Sequence, residues 1–219
     1  MRKTVIILIA ITLGITPLLT QGNLYFAGGD DMRLYYVYPK EYIQNLLLNI
    51  VTDNSIGGGN IGYYPATHPV PLISLMWLVK TLIPANTQFV MYGLNWALAF
   101  LFFYLFLGLW ISGESRTNFY IRIIASLFYI FSPFLIKTLY KHQVIVIYLI
   151  AAMPGALYFF IKSVRQHNPL YVFTACLVTS ILSTNLSSLP WTIPILIASF
   201  PILLFEFLNS RKTFIFHSL

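Results

Sequence analysis

Long apolar runs separated by short polar stretches dominate the chain. Six of them approach the length of a membrane-spanning helix, about 20 mainly apolar residues. They cover residues 5–20, 86–111, 119–136, 143–161, 169–182 and 189–208. Pro133, Pro154, Pro190, Pro194 and Pro201 fall within or at the ends of these runs. Membrane helices tolerate proline because neighbouring groups re-satisfy the freed carbonyls. The first run follows Arg2 and Lys3 and reads as a signal peptide or a retained helix. No A-x-A pattern precedes Gly28, which favours retention. The pattern predicts an all-α polytopic membrane protein with about six transmembrane helices.

A seventh apolar segment, residues 70–83, is short, carries Lys80 and lies between Pro69, Pro71 and Pro84. Its path decides the orientation of everything after it. If it returns to the side it came from, Arg2, Lys3, Arg116, Lys162, Arg165, Arg211 and Lys212 share one face. Lys137 and Lys141 then lie on the other. If it spans, only Arg2, Lys3, Lys137 and Lys141 stay together. The excess of Lys and Arg in short cytoplasmic loops favours the first arrangement. Residues 70–84 therefore read as a re-entrant or interfacial segment. Both termini are then cytoplasmic, and residues 21–69 form a large first external loop.

Composition agrees. Of 219 residues, 58% are hydrophobic, 17% aromatic and 9% charged, against roughly 25% charged in soluble domains. A single cysteine, Cys176, excludes an internal disulfide framework, and no Cys/His cluster has zinc spacing. The net charge of +7 is scattered in ones and twos at the ends of apolar runs. A nucleic-acid surface would gather it on one polar face, so nucleic acid is not an expected partner.

The acids are few and unevenly placed. Of Asp30, Asp31, Glu41, Asp53, Glu114 and Glu206, the first four lie in the 21–69 loop. Glu114 and Glu206 sit near cytoplasmic helix ends and call for no special account. Gly57, Gly58, Gly59 and Gly62 make the loop flexible or admit a ligand, but without a following lysine they form no P-loop. Residues 33–51 read as an interfacial helix. Leu34, Val37, Tyr38, Tyr42, Leu46 and Ile50 recur at helical spacing among Lys40, Glu41, Gln44 and Asn45. It serves as a membrane-surface strut or as the roof of a pocket beginning at Asp30. Asp30 and Asp31 are adjacent and cannot share one face, so they do not work as a paired-acid machine. One can face a pocket while the other meets Arg33, an amide or a cation. Gly28-Gly29-Asp30-Asp31 is equally ordinary turn chemistry.

An apolar first helix, then Gly29-Asp30 at the start of a large external loop, then an interfacial helix, resembles the amino-terminal part of GT-C membrane glycosyltransferases. The arabinofuranosyltransferase type is the nearest likeness. Tyr64-Pro65, the apolar 70–83 segment with Pro84, Ser132-Pro133, Met153-Pro154 and Ser183-Thr184-Asn185 are similar to family features in the same order. A second acid follows Asp30 where that family has a small hydroxyl residue, and no glycine pair precedes Asn185. The resemblance implies a single transmembrane GT-C-like module, 1–219, that is the front portion of a longer enzyme of the plasma (inner) membrane. It further implies transfer of a sugar from a polyprenyl-phosphate donor to a cell-envelope glycan or lipid acceptor on the external face.

On that resemblance Asp30, with Asp31 secondary, is the catalytic acid that accepts the acceptor hydroxyl's proton. The leaving phosphate needs positive charge, supplied directly or through a divalent metal ion. Lys137, Lys141 and His142 cluster at an external helix end, and Arg33 has the fork geometry that suits phosphate. Their alternative is headgroup anchoring. His68 and Asn185 are candidate sugar contacts, or a loop histidine and a helix cap. Two other classes stay open, a non-catalytic membrane scaffold or subunit and a lipid or glycan transporter. The near absence of acids from helix interiors weighs against ion-coupled transport.

Overall fold

A computed structural model describes residues 2–19, 34–48, 51–52, 60–61, 70–113, 115–133, 144–182, 197 and 199–208. The elements in chain order are α1 (Arg2–Leu19), α2 (Leu34–Val37), α3 (Pro39–Leu48), β1 (Val51–Thr52), β2 (Asn60–Ile61), α4 (Val70–Leu82), α5 (Thr87–Leu107), α6 (Arg116–Ile130), α7 (Val144–Gln166), α8 (Pro169–Leu182) and α9 (Ser199–Leu208). The fold is helical apart from the antiparallel β1–β2 ladder, which pairs Val51 with Ile61 and Thr52 with Asn60.

Helix α5 is the hub, packed against α1, α6 and α7 and more lightly against α2 and α4. Asn86 caps it, its side chain accepting from the Gln88 amide at 3.1 Å. Helix α1 runs antiparallel to it, and the two backbones meet at Gly14 and Gly93. A Cβ added to Gly93 would lie 1.9 Å from the Gly14 carbonyl oxygen. Only glycine admits so close a crossing, as at small-residue contacts between membrane helices. Ala10, Leu13, Ala99, Phe100, Ile130, Ile150, Ala151, Ala152 and Leu182 form the main apolar core, drawn from α1, α5, α6, α7 and α8.

Among the described residues, two helices are long and apolar enough to cross a membrane, α1 with 18 residues and α5 with 21. At 1.5 Å per residue they rise about 27 and about 32 Å. Helix α4, with 13 residues, rises only about 20 Å, short of a hydrocarbon core near 30 Å. The outer faces are apolar. On α6, Tyr120, Ile121, Ile124 and Phe128 project outward in one stripe, Phe128 being 73% exposed. Leu170, Phe173 and Leu177 do the same on α8. Hydroxyls within the helices turn back on their own backbone. Thr12, Thr16, Thr81, Thr174, Thr179 and Ser126 each donate to the carbonyl four residues earlier.

Several helix boundaries depart from the sequence expectation, two of them beside a proline. The single helix expected over 33–51 is divided at Tyr38, because Pro39 disfavours helical backbone in the residue before it. Helix α6 ends at Ile130, and Pro133 disfavours helical backbone at Ser132 just beyond it. Helix α7 instead continues five residues past Ile161, adding Lys162 and Arg165 to its last turns.

Candidate functional site

Two polar regions stand at opposite ends of the bundle. The first lies where α2, α4, the start of α5 and the start of α7 converge. Tyr36, Gln88 and Tyr148 are fully buried there, with Thr87 and Tyr92 nearly so. The Tyr36 and Tyr148 hydroxyls share a 2.8 Å hydrogen bond, and Gln88 Nε2 donates to the Tyr92 hydroxyl at 3.0 Å. The rings of Tyr36 and Tyr92 meet edge to face at 6.1 Å. Thr87 Oγ1 finds no hydrogen-bond partner among the described residues. The local cause is a single polar stripe at the start of α5, since Gln88, Tyr92 and Asn95 recur at helical spacing on its buried side. Burying such groups is costly unless they bond one another, so the cluster fixes how α2 and α7 dock on α5. Lys80, at the end of α4, completes this end by donating to the Val37 carbonyl and lying over the Tyr38 ring.

The second region gathers basic residues around the carboxyl end of α5. Arg2 lies 5.8 Å from the Phe119 ring, which sets the amino end of α1 beside the start of α6. Arg122 donates through Nε and Nη2 to the Tyr104 carbonyl, at 3.3 and 3.0 Å, with its guanidinium 3.9 Å above the Tyr104 ring. Arg165 donates through Nη1 to the Leu109 carbonyl at 2.8 Å. Cations so placed satisfy the carbonyls at and beyond the helix end and favour the negative pole of its dipole. Arg165 also grips Glu206 of α9 with two bonds, Nε to Oε2 at 2.8 Å and Nη2 to Oε1 at 2.5 Å. Lys162 sits over the Tyr158 and Tyr171 rings at 5.4 and 4.9 Å.

The sequence-derived site residues Asp30, Asp31, Arg33, His68, Lys137, Lys141, His142 and Asn185 lie outside the described residues. Among the described residues no group of three His, Cys, Asp or Glu side chains could hold a metal ion. What the sequence reading passed over is the tyrosine and glutamine cluster, although the Gln88/Tyr92 spacing on an otherwise apolar run was a usable signal. It also passed over Glu206. That acid is only 4% exposed and ties α9 to α7, so it does call for an account.

No protein-family model, no curated protein and no solved structure matches the chain.

Proposed function

We propose that the chain is an integral membrane protein that transfers a sugar from a polyprenyl-phosphate donor, or the amino-terminal part of such an enzyme. Support for the membrane setting comes from the outward apolar stripes of α6 and α8. A soluble monomer rarely exposes contiguous apolar surface beyond a few hundred Å². Helix α7, with 23 residues, rises about 34 Å and carries charge only in its last turns, so it joins α1 and α5 as a third helix of spanning length. The basic end is the cytoplasmic one on the positive-inside rule.

The transferase reading is carried by one observation, the Tyr36–Tyr148 hydrogen bond. Helix α2 follows Asp30, Asp31 and Arg33 in the chain, and α7 follows Lys137, Lys141 and His142. The starts of α2 and α7, which those stretches precede in the chain, thus meet at one end of the bundle. Glycosyl transfer needs both together, a carboxylate to take the acceptor's proton and positive charge for the leaving phosphate. The test is transfer by membranes containing the full chain, supplied with polyprenyl-phosphate sugars labelled in the sugar. Label should reach a glycan or lipid acceptor. Asp30→Asn should lower the rate by roughly 100- to 10,000-fold, the usual loss of a positioned base, and Asp31→Asn by markedly less. Full activity of an inserted Asp30→Asn chain would overturn the assignment.

A further inference from the structure

The carboxyl end of α5 and the length of α9 enclose an open groove of about 400 Å³, lined by Phe106, Trp110, Pro201, Ile202 and Phe205. Every lining side chain is apolar. At the mouth stands Trp110, 39% exposed, with the Arg165 guanidinium 5.8 Å from its ring. Arg165 has five N–H donors. Three are directed to Glu206 and the Leu109 carbonyl, which leaves two among the described residues, and its side chain is 36% exposed. A half-exposed tryptophan beside a cation at the end of a spanning helix marks the headgroup level of a bilayer. Phe106 lies one turn deeper along α5, toward the acyl region.

We propose that this groove is a binding site for an anionic phospholipid, one acyl chain lying along Phe106, Ile202 and Phe205 and the phosphate meeting the Arg165 guanidinium beside Trp110. The occupant follows from the surroundings. An apolar slot open on its lipid side admits a hydrocarbon chain. The sign of the headgroup follows from Arg2, Lys3, Arg116, Arg122 and Lys162 at this end, which in sequence outnumber Glu114 even after Arg165 and Glu206 cancel each other. Basic pockets between membrane helices on the cytoplasmic side recognise anionic headgroups in this way. The proposal rests on the membrane reading above and is independent of the sugar transfer.

The test reconstitutes the full chain in phosphatidylcholine vesicles containing brominated phosphatidylglycerol or, separately, brominated phosphatidylcholine. Trp110 quenching is read as the difference between the chain and its Trp110→Phe variant. The expected result is an apparent affinity about fivefold higher for the phosphatidylglycerol, the preference one arginine confers near a headgroup. Ile202→Phe fills the groove while leaving the Arg165–Glu206 pair intact, and should remove that preference. Equal quenching by the two lipids, or an unchanged preference in Ile202→Phe, overturns the proposal alone. A chain that alkaline washing strips from the vesicles overturns the membrane reading and this proposal with it.

Discussion

Tyr36 and Tyr148 stand 112 residues apart in sequence and share a 2.8 Å hydrogen bond in the fully buried junction between α2 and α7. The bond joins the segment that follows the first polar stretch directly to the second half of the bundle. Its weight follows from its setting. The bond lies among Leu72, Met76, Phe89 and Met91, in low-dielectric surroundings where it is stronger than in water.

Tyr36→Phe and Tyr148→Phe should therefore each destabilise the fold by about 0.5–1.5 kcal/mol, the net worth of one hydrogen bond. The double variant should cost less than the sum, because each single variant already loses the one bond the two hydroxyls share. Denaturant unfolding in detergent, run as a double-mutant cycle, measures the coupling. Strict additivity would show that the two hydroxyls act independently.

The Gly14–Gly93 crossing makes an asymmetric forecast. Gly93→Ala drives a methyl group to 1.9 Å from a backbone oxygen, and backbone must move. Gly14→Ala meets nothing closer than 3.8 Å. The first should destabilise by at least about 1–3 kcal/mol, the usual range for overpacking. The second should be close to neutral, or slightly stabilising through helix propensity. Gly155→Ala falls between them, since its Cβ would lie 2.7 Å from the Phe102 ring, a side chain that can give. Thermal unfolding in detergent ranks the three.

How much of this was legible in the sequence depended on whether the signal was local. Helix α8 begins at Pro169 and ends at Leu182 as its apolar run does, because proline suits a first helical turn. The start of α5 could be read from Asn86, a good cap before a long apolar run. The break at Tyr38 was equally local, and Pro39 announced it. Other features are tertiary. Nothing near Arg165 or Glu206 says that they meet across 41 residues, and Gly93 looks like any helix glycine until α1 is laid against it. The candidate acids and cations were singled out by type and loop position. The buried groups flanking their chain segments, Tyr36 and Tyr148, sit in apolar surroundings that hide a polar role.

The Arg165–Glu206 pair should behave as a structural clamp on α9. Glu206 is buried, so Arg165→Met strands a carboxylate and should cost about 1.5–3 kcal/mol, the value of a hydrogen bond to a charged group. The larger losses of fully buried pairs do not apply, because Arg165 is partly exposed and screened. Arg165→Met with Glu206→Leu should recover most of the loss, since an apolar pair suits this position between two helices. Unfolding midpoints of the three variants decide the matter, and a double variant no better than Arg165→Met would contradict it.

The last prediction concerns orientation and turns on α4. If this 13-residue helix returns to the side from which it came, the start of α6 and the first loop face opposite sides of the membrane. Cys176 is exposed on α8 and must first be removed as Cys176→Ser. Thr117→Cys then reports on the start of α6 without touching Ser115, whose hydroxyl caps that helix by accepting from the Asn118 amide at 3.0 Å. Ser55→Cys reports on the first loop. A membrane-impermeant maleimide added to intact cells should label Ser55→Cys and leave Thr117→Cys untouched until the membrane is opened. This outcome keeps Arg2, Arg116, Lys162 and Arg165 together on one face, the cytoplasmic one in the proposed orientation, in accord with their gathering at one end of the bundle. Labelling of both positions from outside would mean that α4 crosses. Arg2 and Arg116 would then have to part, and the Arg2–Phe119 contact that joins α1 to α6 could not exist in the membrane.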